Sequence, residues 1–425
     1  MTTALDRLRR RIGAIAAVAA VALGVPVLAA CGGSGSSSGS SESGSTGSTT
    51  LTIYSSLPLQ GPSRAQSVSI VNAQKLALKE VGGRIGPFTI KFASLDDSTA
   101  EAGRWDPGQT SANARRAAQD RTTIAYLGES SSGASAISIP IMNAVGVLQV
   151  SPLATAVGLT RGEGAVKGEP DKYYPSAKRN FGRVLPADDA QAEAQVAYQR
   201  ATGCSRVFLL DDRELFGKSL AAAYEPLARE AGLTLVGSES IDRDAASYRS
   251  LAAEIREEGA DCVFFAGGVE SNAVRLFRDL HAGHPRARLF GPHALVTSTF
   301  ARALGEGAAR VTHLTSPALA PRLYPAAGRR FFRDYKRTYG HDPEPAAIFG
   351  YEAMSVALQA IRDAAERGND RQAVIDAFFR IKDRRSVLGR YSIEGTGDTT
   401  LRTYAAWRVR DGRLRFDHVI AQRDS

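Results

Sequence analysis

Phe216-Gly217-Lys218-Ser219 follows a strand-like run, Val207 to Leu210, and opens a helical pattern, the place where a phosphate-binding loop would sit. Such a loop needs glycine five positions before Gly217, but that position is Asp212, whose carboxylate would repel the phosphate. Gly35-Ser36-Ser37-Ser38-Gly39 matches the spacing of a nucleophile elbow, yet it has neither strand nor helix around it. The six histidines, His281, His284, His293, His313, His341 and His418, show no HExxH or paired-ligand spacing. No CxxC occurs, which argues against zinc ribbons and thioredoxin-type redox chemistry. These patterns point away from an enzyme, and no cofactor or metal is expected.

A different chemistry is legible in Gly128-Glu129-Ser130-Ser131-Ser132-Gly133, a loop between a strand and the helix that starts near Ala134. At the carboxyl end of a parallel strand the next helix offers free N–H groups and its positive dipole end, and serine hydroxyls add donors. A carboxylate could be held there without any arginine. N-capping by Ser132 is the plainer alternative. A second loop of the same kind, Ser151-Pro152-Leu153-Ala154-Thr155, follows the next strand, and two donor-rich loops opening on one crevice favour binding.

The elements that must position these loops alternate regularly. Leu51 to Tyr54 reads as a strand, and Ile70, Val71, Ala73, Ala77, Leu78 and Val81 then fall within about 160° of a helical wheel, with Gly82-Gly83 as a stop. Strand Phe88 to Phe92, helix near Gln109 to Gln119, strand Thr123 to Leu127, helix near Ala134 to Ala144 and strand Val147 to Val150 follow. This is the pattern of a parallel sheet covered by helices on both faces. After a turn-rich stretch from Thr160 to Asn180 a second series begins, with strands Val207 to Leu210, Thr234 to Val236, Val263 to Phe265, Arg288 to Phe290 and Val311 to Leu314. Tyr324 to Ile381 is helix-rich, and Tyr404 to Ile420 reads as two strands around Asp411-Gly412. The expectation is an α/β fold of two doubly wound parallel-sheet lobes, with helices returning to the first lobe so that several chain crossings make a hinge. Lobe one would comprise 51–184 and 318–397, and lobe two 185–317 and 398–425. Cys204 and Cys262 sit at the entry of strands that would be neighbours in such a lobe, so either a disulfide or two buried thiols fits.

The first thirty residues carry Arg7, Arg9, Arg10 and Arg11, then an apolar run from Ile12 to Leu28, then small residues before a cysteine. That is an export signal. Leu28-Ala29-Ala30-Cys31-Gly32 resembles the lipobox of bacterial lipoproteins, which implies removal of 1–30 and lipidation of Cys31. An uncleaved single-span anchor is the alternative. Up to residue 50 the chain is almost entirely Gly, Ser and Thr with one acid, Glu42, and reads as a disordered tether with an r.m.s. reach of roughly 5–6 Å times the square root of its length. The formal charge of +9 becomes +6 without residues 1–30 and shows no dense basic block, so no nucleic-acid partner is expected.

With those loops in hand, Leu51 to Ile420 resembles the type I periplasmic binding proteins, specifically the leucine/isoleucine/valine-binding branch of ABC importers. The marks are Ser55 to Ser63 with Gly61-Pro62, Leu95-Asp96-Asp97, the Gly128 to Gly133 loop, Val150 to Thr155, Leu210-Asp211-Asp212 through Phe216-Gly217, Phe264 to Gly268, Phe290-Gly291-Pro292, and Phe349 to Ala353, in fixed order. The resemblance implies a hinge-closing solute-binding protein, a monomer with an ABC permease as partner, held on the extracytoplasmic face of the membrane. Ser131, Ser132 and Thr155, with the backbone at Leu153 and Ala154, would grip the carboxylate and amino group of a small metabolite. Gln66 would form a wall, and Phe216, Val269 and His293 would close from lobe two. His293 and Val269 depart from the family pattern, the first standing where an acid commonly pairs the ligand ammonium. Glu270, Asp212 or Glu129 would then supply the counter-charge, or the ligand is not a simple α-amino acid. A sensing module that reports to a separate signalling protein remains the alternative to import.

Overall fold

The computed structural model describes residues 49–421. The export signal, Cys31, most of the tether and residues 422–425 lie outside the described residues. Strands β1 (Thr50–Leu57), β2 (Arg84–Ile85), β3 (Phe88–Asp96), β4 (Thr123–Leu127), β5 (Leu148–Ser151) and β6 (Phe181–Arg183) form one sheet in the order β2-β3-β1-β4-β5-β6. The second sheet contains β7 (Arg206–Asp211), β8 (Thr234–Ser240), β9 (Cys262–Ala266), β10 (Arg288–Gly291) and β11 (Thr312–Ser316). A short ribbon, β12 (Arg384–Arg385) with β13 (Arg390–Tyr391), comes next, and β14 (Ala405–Arg410) and β15 (Arg413–Val419) complete the second sheet in the order β15-β14-β11-β10-β9-β7-β8.

Both sheets are parallel at the centre, as the alternating pattern predicts, and antiparallel at an edge. Tight turns that can only reverse the chain join β2 to β3 and β14 to β15, while β14 also runs antiparallel to β11 after a long connection. Gly86 at φ +53° joins β2 to β3, and Asp411 and Gly412, at +53° and +65°, join β14 to β15. Strand β6 was not legible beforehand: Phe-Gly-Arg is too short for a period, and its pairing with β5 depends on where the turn-rich stretch returns.

Central strands are apolar on both faces because helices cover both. Helix Arg64–Glu80 buries Ile70, Val71, Ala73, Leu76 and Ala77 against the first sheet and stops at Gly82 and Gly83, both with positive φ. Helices Ala326–Tyr339, Ala347–Asp363 and Arg371–Phe379 share that core, through Phe331, Ile348, Met354 and Phe378 among others. Helix Asp188–Ala201 instead packs Ala194 and Tyr198 with Val207, Leu209 and Phe264 of the second lobe. The chain therefore passes between the lobes three times, at 184–187, 317–325 and 392–404. At these passages Asp398 pairs with the fully buried Arg183 at 2.7 Å and with Arg161 at 2.9 Å, while Thr160 Oγ1 donates to its carboxylate. Cys204 and Cys262, at the entries of adjacent β7 and β9, are joined by a disulfide with Cα atoms 5.9 Å apart. No helix among the described residues is long and apolar enough to cross a membrane.

Candidate functional site

The carboxyl ends of the parallel strands of both lobes face one cavity of about 60 Å³. Lobe one supplies Ser130, Ser131 and Ser132 from the loop after β4, Leu153 from the loop after β5, and Ser63 and Gln66 at the start of helix Arg64–Glu80. Opposite stand Asp212, Glu214 and Phe216 after β7, Val269 and Glu270 after β9, and His293 after β10. Little space remains because the lobes stand close together, bridged directly by Ser63 Oγ donating to Glu270 Oε2 at 2.7 Å and by the Val157 amide donating to Ser219 Oγ at 3.1 Å.

The serine loop does not spend its hydroxyls on capping. Ser131 is the N-cap of helix Ser132–Ala144, one residue earlier than the capping alternative placed it, and its side chain makes no capping bond. Ser132 Oγ accepts instead from the Thr155 and Ala156 amides at 3.2 and 3.1 Å, which pins the two loops together. Ser151 reinforces the arrangement, donating to the Glu129 carbonyl at 2.6 Å and accepting from the Leu153 and Ala154 amides. A serine two or three residues before an amide commonly bonds it in this way.

Those bonds leave part of the expected site outside the cavity lining. The Leu153 and Ala154 amides are already engaged by Ser151, and Ala154 packs in a satellite core with Leu159 and Phe181 rather than lining the cavity. Thr155 is fully buried behind the loop with its hydroxyl beside the Asp188 carboxyl, so it too stands outside the lining. Glu129, named above as one source of counter-charge, also lies outside the lining: it is wholly buried under the loop, where Tyr126 Oη donates to it at 2.6 Å. Burial raises the Glu129 carboxyl to about 7, and the adjacent Asp97 carboxyl is raised well above its usual value, chiefly by burial and then by the charge of Glu129.

The other expected residues, Gln66, Ser131, Ser132, Leu153, Phe216, Val269, Glu270 and His293, surround the cavity together with Asp212. His293 is a neutral wall. Burial lowers it to about 4, its Nδ1 lies 2.6 Å from Gln191 Oε1, and its ring meets Phe216 edge-on at 5.2 Å. The charge at the cavity comes from acids. Asp212 accepts from the Gly268 amide at 3.0 Å and from Ser271 Oγ at 2.8 Å, and burial pushes it up to about 6 despite those bonds. Burial also raises Glu270, with Asp212 adding to the rise, while the Ser63 bond and the charges of Arg104 and Arg243 oppose it. Glu214 is paired with Arg243. Among the described residues no lysine or arginine lines the cavity.

Trp105 and Ser63 belong to the lining but were not anticipated. Both come from irregular segments with no period to read. The only local trace of Trp105 is Gly133: a Cβ there would come within 2.7 Å of the indole, so the glycine lets helix and ring approach.

The arrangement can recognise a small polar molecule by hydroxyls on one side and carboxylates on the other, with Phe216, Val269 and Leu153 as apolar surface. Comparisons with known proteins agree with that architecture. The family described as periplasmic binding protein matches residues 50–413. The Leu/Ile/Val-binding protein BraC3 of Rhizobium johnstonii is 26% identical over 371 residues, covering 86% of this chain and 93% of that one. An amino acid binding protein of Pseudomonas aeruginosa is 23% identical, over 77% of this chain and 81% of its own length. Among solved structures, the leucine binding protein LivK of Thermotoga maritima superposes with a TM-score of 0.75 at 19% identity, over 87% of this chain and 98% of that one. A solute binding protein of R. palustris in complex with benzoate gives 0.73 at 18%, over 88% and 97%. These relatives are solute-binding proteins rather than enzymes. On the extent of the family match and on the fold, this chain belongs to the periplasmic binding protein family.

Proposed function

We propose that this chain is the extracytoplasmic, lipid-anchored substrate-binding component of an ABC importer and that it closes its two lobes on a zwitterionic amino acid or related amino-bearing carboxylate. The reading rests on one observation: Ser130, Ser131 and Ser132 line the same cavity as Asp212 and Glu270, and among the described residues no basic side chain lines it. Donors on one wall suit a carboxylate, and buried carboxylates on the other suit an ammonium group. Phe216, Val269, Leu153 and His293 would hold an apolar side chain, and Gln66 would flank it. The names of the curated relatives, Leu/Ile/Val-binding proteins, support branched-chain amino acids as first candidates. Lobe one is proposed as 51–184 with 318–397, lobe two as 185–317 with 398–425, and Cys31 as the lipid attachment.

Thermal-shift titration of the purified protein tests the ligand class, because a molecule bound by the native state alone raises stability by mass action. Leucine, isoleucine and valine are expected to raise the Tm. N-acetyl-leucine and benzoate, which keep the carboxylate but lack the ammonium, are expected to leave it unchanged. Stabilisation by benzoate without stabilisation by any amino acid would overturn the reading.

A further inference from the structure

A second groove runs between the lobes on the other side of helix Arg64–Glu80 from the cavity. It measures about 1220 Å³, more than the roughly 300–1,000 Å³ typical of small-molecule sites. Its floor is apolar, with Leu319, Phe332 and Trp407, and its rim carries Arg64 and Arg333 from one lobe and Arg302 and Arg413 from the other. All four arginines are exposed, and none makes an ion pair or side-chain hydrogen bond among the described residues. The acids nearby do not neutralise them. Asp342 is taken by Lys336 at 3.2 Å, and Glu344 by the Ser298 amide and hydroxyl, leaving Asp411 alone.

We infer that this groove is a docking site for an acidic, apolar-bearing segment of a partner protein. Unpaired arginines around an apolar floor match acidic side chains flanking an apolar one, a recurring mode of acidic-motif recognition. The Gly/Ser-rich stretch at the chain's own N-terminus cannot supply the occupant, since it carries one acid, Glu42, and no large apolar residue between Gly32 and Thr50. Because the rim comes from both lobes, a segment seated there touches both at once, so the groove presents this complete set of arginines only with the lobes in this arrangement. The inference does not depend on which solute the cavity takes.

Fluorescence anisotropy with a labelled peptide of alternating Glu and Leu, and with its Lys-Leu counterpart, tests it on the whole purified protein. The acidic peptide is expected to bind at low salt, to weaken at roughly 1 M salt, where the Debye length falls to about 3 Å, and to outcompete the basic one. Arg302→Glu with Arg413→Glu is expected to weaken binding at least tenfold. The same charge change placed on exposed helix positions elsewhere, Arg115→Glu with Arg249→Glu, is expected to have little effect. Arg302→Gln with Arg413→Gln, which introduces no new charge, is expected to lose several-fold, and far-ultraviolet circular dichroism checks that each variant is folded. No binding of the acidic peptide by the wild type, or equal losses in the groove and control variants, would overturn the proposal.

Discussion

Asp212 and Glu270 carry the electrostatics that His293 cannot. A histidine held near 4 by burial is uncharged between pH 5 and 8, so it contributes neither repulsion nor attraction to an ammonium group there. The two acids have the opposite behaviour: burial raises both, and a ligand cation would favour their ionised forms and draw their pKa values back down. Glu270→Gln is expected to weaken binding of an amino acid by about 1.5–3 kcal/mol, the range for a hydrogen bond to a charged group, or roughly ten- to a hundredfold. The pH dependence has a definite sign. With Asp212 near 6 in the unliganded protein, affinity is fully developed above pH 7 and falls as the pH drops through 6, because the ligand must then displace a proton. Isothermal titration calorimetry across pH 5–8 measures this, and Asp212→Asn is expected to flatten the profile. A profile unchanged by that substitution would remove Asp212 from the ammonium site.

At the scale of elements, the regular parts of the chain were readable and the loop interiors were not. The apolar stripe of helix Arg64–Glu80, the strands β4, β7 and β9 and the turn at Asp411-Gly412 follow from period and turn chemistry, which are local. The two serine loops were located correctly at strand ends because a βα junction is also a local feature. Which of their groups face the cavity is not local. Ser151 donates to the Glu129 carbonyl of the neighbouring loop and Ser132 accepts from the Thr155 and Ala156 amides, while Thr155 lies beside Asp188 and Tyr126 donates to Glu129, and only the packed structure decides that. The pairing of Cys204 with Cys262 lies between these cases, since the sequence places both at strand entries and the strand order makes them neighbours. Closing a loop with a separation of 58 residues restricts the unfolded chain, so Cys204→Ser with Cys262→Ser is expected to lower stability by about 2–4 kcal/mol in urea denaturation. Solute affinity should change little, because the bridge lies at the strand entries and the cavity at their carboxyl ends. Equal stability with and without reductant would count against the bridge.

Across the whole molecule, polar contacts join the lobes both at the chain passages, where Arg161 pairs with Asp189 and Asp398, and away from them, where Arg104 lies 3.6 Å from Asp244. Ser63 meets Glu270, the Val157 amide meets Ser219, and Ser298 donates through its amide, at 2.9 Å, and its hydroxyl to Glu344. Each such bond is worth about 0.5–1.5 kcal/mol net, or somewhat more when a carboxylate accepts. Moving a two-state hinge from 1:99 to 99:1 takes about 5.5 kcal/mol, so under the proposed closing mechanism such contacts would bias the closed form and a bound solute would supply the remainder. Apparent affinity then scales with the fraction of molecules already able to close. Ser298→Ala lies outside the cavity and removes the hydroxyl bond to Glu344. It is expected to lower affinity several-fold for every solute alike, leaving their order of preference intact. Small-angle X-ray scattering should show a contraction on adding solute to the wild type, and a larger one in Ser298→Ala, whose free form is more open. Unchanged affinity together with identical scattering in the free and bound states would mean that solute binding is not coupled to a hinge.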